Sequence, residues 1–280
     1  MSRLDTILAK LEKDEVPVSK DYEESEEGSI GWSVLAGRIV QAYKSGGFIA
    51  AVVYGKQGAG KSVYTIKVAY DALRRLGILG HNSTTRDVYR RYMFYLARQL
   101  IGKVRRAKSS RIPVLIWDDA GVHGGSWLFF TDPFLAKAIT DTFKVIRTRV
   151  AALLMNTPNP GDILKPLRGT DIYIVYIQEI NEVWSRAHGY VIKILPSGTR
   201  RIRKMYVEDF KKRLRTYDDY VKIRDRYVDD ALDALESILE MKALERLQKR
   251  LKLLEKAGVS QSPQNSPVNN GDDIEVILED

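Results

Sequence analysis

The residues Phe48-Ile49-Ala50-Ala51-Val52-Val53-Tyr54-Gly55-Lys56-Gln57-Gly58-Ala59-Gly60-Lys61-Ser62 run from an apolar segment into a glycine-rich loop. The loop matches the phosphate-binding pattern G-x-x-x-x-G-K-[ST] at every fixed position. Glycines let the backbone approach phosphates, so that N–H groups and the next helix N-terminus point at the anion. Lys61 would reach the β- and γ-phosphates, and Ser62 would ligate Mg²⁺. The stretch therefore predicts a site for a nucleoside triphosphate, with ATP and Mg²⁺ as cofactors.

The surroundings of the loop match the structural context that this pattern requires. The run 48–54 predicts a buried strand before the loop, and apolar residues recur at helical spacing after it, at Val63, Ile66, Tyr70 and Leu73. The alternative is a chance glycine-rich turn without a nucleotide. The candidate nucleotide-binding residues are Gly55, Lys56, Gln57, Gly58, Ala59, Gly60, Lys61, Ser62 and Val63.

A second apolar run, residues 112–117, ends in Asp118-Asp119 and resembles a Walker B strand. Asp118 is the candidate metal residue beside Ser62, since it would hold Mg²⁺ through its water shell. Asp119 is a candidate catalytic base, although many P-loop ATPases carry a glutamate at this position. The alternative is that the two aspartates and the following Ala120-Gly121 form only a turn after a strand.

A third apolar run, residues 150–155, predicts a strand that ends at Asn156. A polar residue at the tip of a buried strand beside the Walker B strand would meet the γ-phosphate or the attacking water. Asn156 is therefore a candidate catalytic residue with a sensor role. The alternative is an ordinary strand-terminating asparagine followed by a proline and glycine turn.

Together these segments resemble the P-loop ATPases, distantly similar to the DnaA replication initiator, that are encoded by spindle-shaped viruses and plasmids of hyperthermophilic archaea. The resemblance covers residues 31–227 and is carried by residues 39–44, 55–62, 118–122 and 156–163. It implies an AAA+-like ATPase that acts in DNA replication or maintenance. Because the sequence shows no helical lid with a second sensor arginine, a plainer RecA-like ATPase stays open.

Arg168 lies just before the apolar run 172–177, which predicts a further strand. In oligomeric AAA+ ATPases an arginine at this place reaches the nucleotide of the neighbouring subunit, so Arg168 is the fourth candidate catalytic residue and predicts a homo-oligomer. A solvated loop arginine is the alternative. Arg147 and Arg149, which precede the third strand, are weaker candidates.

The predicted fold is an α/β, three-layer P-loop NTPase of the additional-strand (ASCE), AAA+-like kind, with a mostly parallel sheet, an appended β-hairpin and a carboxyl-terminal helical region. The predicted domains are an amphipathic helix and acidic linker (1–30), the ATPase domain (31–226), a helical region (227–257) and a disordered acidic tail (258–280). The leucines of the helical region lose heptad spacing between Leu239 and Leu244. This break favours a helical hairpin or an irregular dimerising helix over a regular coiled coil.

The formal net charge of +9 and pI of about 9.5 favour a polyanionic partner, and we expect DNA. One basic cluster, residues 86–111, contains interleaved aromatic residues and predicts a helix pair. A second basic cluster lies on the predicted hairpin, residues 190–195 and 200–206, and contains Lys193, Arg200, Arg201, Arg203 and Lys204. The alternatives are a solvated helix face over buried aromatics and a sheet edge protected by charge.

The chain has no cysteine, which excludes disulfides and cysteine metal sites. No apolar run approaches the ~18 residues of a membrane span, so we expect no membrane partner and a cytoplasmic location in an archaeal host cell. The amino-terminal helix and the acidic tail are candidate docking segments for a protein partner. His123, four residues past Asp119, is expected to be structural or incidental.

The sequence thus predicts a DNA-acting ATPase for the replication or maintenance of a virus or plasmid. A DNA packaging or translocation motor and a nucleotide-gated partition or regulatory module with slow hydrolysis remain as alternatives. The sequence does not separate ATP from GTP or single-stranded from double-stranded DNA.

Overall fold

The computed structural model describes residues 33–107, 110–123, 137, 141, 145–162, 172–194 and 200–256. In chain order the helices and strands are α1 (Val34–Ser45), β1 (Ile49–Gly55), α2 (Lys61–Arg75), α3 (Thr85–Tyr92), β2 (Met93–Phe94), α4 (Ala97–Arg106), β3 (Leu115–Trp117), α5 (Ala120–His123), β4 (Ala152–Thr157), β5 (Ile172–Glu179), β6 (Trp184–Ile194), β7 (Arg200–Lys211) and α6 (Tyr217–Lys256). A short 3₁₀ turn, Pro160–Asp162, follows β4. The predicted amino-terminal helix, linker and tail lie outside the described residues, as does Arg168.

The strands form one seven-stranded sheet in the order β2-β3-β4-β1-β5-β6-β7. The five strands from β2 to β5 are parallel, and β6 and β7 join the edge as antiparallel strands. The mostly parallel sheet predicted from the sequence is confirmed. Strand β4 lies between β1 and β3, so the strands that lead into the phosphate loop, Asp118 and Asn156 have adjacent carboxyl ends. This is an α/β P-loop fold.

Two local features differ from the sequence prediction. The predicted strand 112–117 shortens to Leu115–Trp117, because Ile112 makes only an isolated bridge to Val150 and Pro113 has no N–H to donate. The predicted helix pair in residues 86–111 is interrupted by β2, which pairs with β3. A two-residue strand is too short to give a period of two in the sequence.

Helices cover both faces of the sheet, which gives the three predicted layers. On one face, Val52, Trp117 and Met155 pack with Leu100 of α4 and with Ile146. Side chains alternate along a strand, so Asn156 points to the other face, where it bonds to Thr65 of α2. Helix α1 packs beside α2.

The predicted hairpin is confirmed and is longer than the sequence indicated. Strands β6 and β7 pair from Trp184–Lys211 to Ile194–Arg200, with a register irregularity at Gly189/Tyr190. The hairpin extends the central sheet, because β6 also pairs along the length of β5.

The carboxyl-terminal region is one continuous 40-residue helix, α6. Of the two predicted alternatives this excludes the helical hairpin, and the irregular dimerising helix stays a prediction. The described chain divides into two compact units, with the second beginning at Asp225 inside α6. Residues 217–256 contain no proline or glycine, so the loss of heptad spacing does not break the helix itself. Among the described residues, no helix combines the length and the apolarity needed to cross a membrane.

A buried polar network ties β7 to α1 and α2 through Glu208. Its carboxylate accepts from the Val34 backbone N–H at 2.6 Å and from the Tyr64 hydroxyl at 3.2 Å, and Tyr64 also shares a hydrogen bond with Tyr206. Burial raises the pKa of Glu208 from its ordinary 4.5 to about 7, although the hydrogen bond from Val34 lowers it. Asp71 adds to the increase.

This raised pKa makes the stability of the fold depend on pH. Between pH 4.5 and 7 the native state holds a proton that the unfolded chain has released, so the free energy of unfolding falls as pH rises through that window. At about 1.4 kcal/mol per pKa unit, ionised Glu208 costs on the order of 3 kcal/mol above pH 7. We expect Glu208→Gln to raise the melting temperature at pH 8 and to lose that advantage near pH 4.5.

Thermal unfolding of both proteins across this pH range measures the effect. His188 has a pKa lowered to about 4, chiefly by burial, and gives an opposite slope. The variant keeps His188, so the difference between the proteins isolates Glu208. The exposed Glu182→Gln is the matched control. A difference in melting temperature that stays constant with pH would contradict the assignment.

Candidate nucleotide-binding site

The phosphate loop takes the backbone shape that its glycines allow. Gly60 caps the amino end of α2 with a φ of 92°, in the left-handed region. Gly55 has a φ of 150°, and a Cβ there would lie 2.4 Å from the carbonyl oxygen of Ile177 on β5. A side chain at Gly55 would therefore push the loop away from its neighbouring strand. The loop opens directly onto the first turn of α2, whose N–H groups lack intrahelical acceptors.

Lys61 is folded back over the loop that it follows. Its Nζ donates to the carbonyl oxygens of Gly55 at 3.0 Å and of Lys56 at 2.8 Å. Burial lowers the pKa of Lys61, while Asp119 and Asp118 act to raise it. The ammonium is thus held at the loop by neutral carbonyls and by the field of the two carboxylates.

Asp118 lies at the centre of the site and is fully buried. Its Oδ1 accepts from the Ser62 hydroxyl at 2.7 Å and from Asn156 Nδ2 at 2.6 Å. The structure therefore brings together three of the predicted residues, which come from α2 and from the carboxyl ends of β3 and β4.

The residues at this point fit a magnesium ion. Ser62 and Asp118 offer a hydroxyl and a carboxylate at hydrogen-bonding distance, and Mg²⁺ prefers such hard oxygen ligands. Among the described residues, no group of three or more His, Cys, Asp or Glu side chains could hold a metal by itself. That is the expected donor set for Mg²⁺ with a nucleotide, because phosphates and water complete the shell.

Asp119 has a backbone conformation unlike that of the other described residues. Its φ is 49°, and within the described ranges it is the only residue besides glycine with a positive φ. Burial raises the pKa of its carboxyl, Asp118 raises it further, and Arg224 and Lys61 lower it. A carboxyl with a raised pKa is better matched to proton transfer than an ordinary aspartate. The left-handed turn directs the chain away from β3 into α5.

Asn156 joins the metal residue to the helix behind the phosphate loop. Besides its bond to Asp118, Nδ2 donates to Thr65 Oγ1 at 3.1 Å. The Oδ1 atom is buried and accepts no hydrogen bond from any described residue. A buried amide oxygen without a donor is costly unless it meets a ligand or water, so Oδ1 is suited to orient a water molecule.

Two residues of α6 reach this site, and the sequence analysis missed both. The Tyr220 hydroxyl donates to Asp118 Oδ2 at 2.8 Å, and burial raises the pKa of that tyrosine. Arg224 lies one turn later, in the electrostatic field of Asp119 and Asp118; burial opposes its charge, but Tyr220 and these two carboxylates raise its pKa. In the sequence, only the i, i+4 spacing of Tyr220 and Arg224 on a helix after the hairpin indicates that the two side chains lie on one face.

The first turn of α6 is held against α3. The Thr85 and Thr216 hydroxyls are hydrogen bonded at 2.9 Å, Arg86 forms an ion pair with Asp219, and Tyr89 packs edge-on against Tyr220 with ring centroids 5.8 Å apart. Helix α3 thus positions the α6 residues that reach the site.

Residues of the β6–β7 hairpin and the residue that follows it contact the phosphate loop. The Ser185 hydroxyl donates to the Ala59 carbonyl oxygen at 2.8 Å, and a Cβ on Gly60 would come within 3.3 Å of Phe210 and Lys212. Lys212 forms an ion pair with Glu179 of β5. Strands β5 to β7 therefore fix the loop as well as extend the sheet.

Other predicted residues lie elsewhere or outside the description. Arg147 and Arg149 are exposed before β4, at the edge of the sheet opposite Asn156. His123 ends α5. Arg168 lies outside the described residues, so its role as an arginine finger stays a prediction.

Comparison with known proteins shows viral relatives. No family model matches the chain. It is 27% identical over 219 residues to uncharacterized protein B-251 of Sulfolobus spindle-shape virus 1, covering 75% of this chain and 86% of that protein. It is 28% identical over 227 residues to uncharacterized protein ORF286 of Acidianus two-tailed virus, covering 77% and 73%. The expected similarity to proteins of archaeal viruses, including a spindle-shaped one, is confirmed.

Solved structures resemble the chain only weakly. The genome packaging NTPase B204 of Sulfolobus turreted icosahedral virus 2, in complex with ATP-gammaS, is 16% identical, with 57% of this chain and 98% of that chain covered and a TM-score of 0.33. The flagellar accessory protein FlaH from Methanocaldococcus jannaschii is 12% identical, with 64% and 97% covered and a TM-score of 0.31. Similarity this low assigns no function to the chain.

Proposed function

We propose that this protein is a Mg²⁺-dependent ATPase that acts on DNA in the replication or maintenance of an archaeal virus or plasmid. The observation that supports the ATPase activity is the convergence of Lys61, Ser62, Asp118 and Asn156 at the adjacent carboxyl ends of three parallel strands. Open α/β sheets bind their ligands at the carboxyl ends of the strands, and these four residues lie at that end of the sheet. The glycine-rich loop and the amino end of α2 supply the phosphate-binding N–H groups.

Each residue then has a distinct part in hydrolysis. Lys61 exchanges its hydrogen bonds to the loop carbonyls for contacts with the β- and γ-phosphates. There its positive charge stabilises the negative charge that develops during phosphoryl transfer. Asn156 Oδ1 orients the attacking water, and Asp119 accepts its proton. Ser62 and Asp118 would hold a Mg²⁺ ion, which would supply positive charge to the phosphate oxygens.

Arg224 supplies a positive charge from within the same chain. It lies in the electrostatic field of the two aspartates, and its guanidinium offers several donors in a fixed geometry for a phosphate oxygen. This role comes in addition to the arginine finger predicted for Arg168.

Exposed basic side chains on the hairpin of β6 and β7 favour DNA as the polyanionic partner. Lys193 and Arg201 are cross-strand partners, and both are exposed, as is Arg203. Like charges directly opposite each other destabilise a strand pair, and a phosphate backbone would relieve that repulsion.

The remaining basic residues contribute less to such a surface than the sequence analysis expected. Lys204 has a buried Nζ, and Arg111 donates to the Gly47 carbonyl. The aromatic residues Tyr89, Phe94 and Tyr95 are buried, so they do not stack on bases. In the helix region, Arg90, Arg105 and Arg106 keep exposed positions.

Turnover of ATP and GTP, measured with Mg²⁺ and with or without single- and double-stranded DNA, tests the proposal. We expect ATP hydrolysis that one DNA form stimulates, and a DNA affinity that falls steeply with salt because bound phosphates release counterions. The double variant Lys193→Glu and Arg201→Glu should reduce the salt slope by roughly two. The matched control is Lys44→Glu, an exposed lysine at the end of α1.

The outcomes separate the candidate functions. Tight ATP binding with very slow hydrolysis and no effect of DNA would replace the proposal with a nucleotide-gated module. Turnover that requires a stable ring on duplex DNA would favour a packaging or translocation motor. A protein that binds no nucleotide would overturn the proposal.

A further inference from the structure

Residues 225–256 of α6 carry large apolar side chains that are exposed within the described structure. The group comprises Val228, Leu239, Met241, Leu244, Leu247, Leu251 and Leu253, and from Leu239 onward each is 58–68% exposed. Most of the stability of a protein helix comes from packing its apolar face. Exposed apolar patches of this kind mark interaction sites. This segment is therefore a candidate interaction surface.

Seven of the apolar positions form a regular stripe once an alanine is counted with the leucines: Leu232, Leu235, Leu239, Ala243, Leu247, Leu251 and Leu254. The exposed residues Met241, Leu244 and Leu253 are not part of this stripe. The steps between the seven positions are three, four, four, four, four and three residues. Their mean is about 3.67 residues, the spacing of an 11-residue repeat, which keeps a stripe on one side of a nearly straight helix.

This stripe reads the same in both directions from Ala243. Leu239 and Leu247 lie four residues on either side of Ala243. Leu235 and Leu251 lie eight residues from it, and Leu232 and Leu254 lie eleven residues from it. A two-fold interface between identical helices brings together positions related in this way when the helices run antiparallel. Ala243 is the smallest member and lies at the centre, where the two backbones would come closest.

The charges along the segment point to the same arrangement. Residues 225–242 contain six acidic and two basic side chains, whereas residues 244–256 contain two acidic and five basic ones. An antiparallel copy places the acidic half of each helix along the basic half of the other. A parallel copy would place like charges together, which disfavours that pairing.

We propose that residues 225–256 of α6 pair with the same segment of a second copy of this chain, antiparallel, about a two-fold axis at Ala243. The pairing joins two copies through this helix alone and does not depend on the nucleotide site. It buries the stripe that contains Leu239, Leu247 and Leu251.

Cysteine cross-linking of the full chain tests both the pairing and its direction, because the natural sequence has no cysteine. A disulfide requires Cα atoms roughly 4.4–6.8 Å apart. Ala243→Cys should form a covalent dimer with itself on oxidation. Leu239→Cys and Leu247→Cys should each cross-link poorly alone and should cross-link with each other when the two variants are mixed.

The opposite results would overturn the proposal. Equal self-cross-linking at positions 239, 243 and 247 indicates a parallel pair. The absence of a cross-link at any of them, in a chain that sediments as a monomer, indicates that another segment or protein covers the stripe.

A measurement of molecular mass provides a second test without cysteines. Leu247→Asp places a charge in the stripe and should weaken dimerisation by at least about tenfold, since burying an unpaired charge is costly. Met241→Asp is the matched control: Met241 is 59% exposed against 58% for Leu247, but it lies about 200° around the helix from Ala243. Equal loss of dimer in both variants, or a wild type that is monomeric at every concentration, contradicts the pairing.

Discussion

Replacing Lys61 with alanine is expected to lower ATP turnover by about 10³-fold or more while leaving the fold intact. The ammonium is the only side-chain cation that the loop motif itself directs at the β- and γ-phosphates. Its loss should not unfold the protein, because burial already acts against its charge and one of its two hydrogen bonds, to the Lys56 carbonyl, is exposed. Steady-state turnover and thermal unfolding of the same preparation measure both parts.

Lys56→Ala is the matched control for this experiment. Lys56 lies in the same loop and is exposed, and its contact with Lys61 uses only its backbone carbonyl. Its predicted part in nucleotide binding uses only its backbone N–H, because position 56 is variable in the loop pattern. We expect near-normal turnover in that variant. Normal turnover in a folded Lys61→Ala protein would defeat the proposed function, whereas equal loss in both variants would show only that the loop tolerates no change.

The central part of the fold could be predicted because its signals are local. The run 48–54, the glycine pattern and the helical spacing after it lie within about thirty consecutive residues, and each indicates the element that the structure contains. The residues Asp118 and Asn156 were found for a similar reason, since each follows an apolar run. Their meeting at one point then follows from the parallel pairing of β1, β3 and β4.

The contribution of α6 could not be predicted in the same way. Tyr220 lies 102 residues from Asp118 in sequence, and only the docking of α6 on α3 brings its hydroxyl to the carboxylate. Arg224 precedes residue 227, where the predicted helical region begins, so the predicted domain boundary separates it from that region. Ala243 at the centre of the stripe is not a leucine, so a heptad pattern of leucines does not include it.

Arg224→Ala is expected to lower turnover by about 10²-fold and to change its pH dependence. Asp119 must be ionised to accept a proton from water, so turnover should rise as pH rises through the pKa of that carboxyl. Burial and Asp118 raise this pKa, and Arg224 opposes them. Removing the guanidinium should therefore move the rising limb of the profile to higher pH. A purely structural role for Arg224 would lower the rate without moving the limb.

Two further variants separate charge from shape. Arg224→Lys keeps a positive charge near Asp119, so its rising limb should stay close to that of the wild type even if the rate falls through loss of the planar donor geometry. Arg226→Ala removes an exposed arginine from the same helix and should change neither rate nor profile. A rising limb that stays at the same pH in Arg224→Ala would contradict the link between Arg224 and the catalytic base, because Arg224 acts to lower the pKa of Asp119.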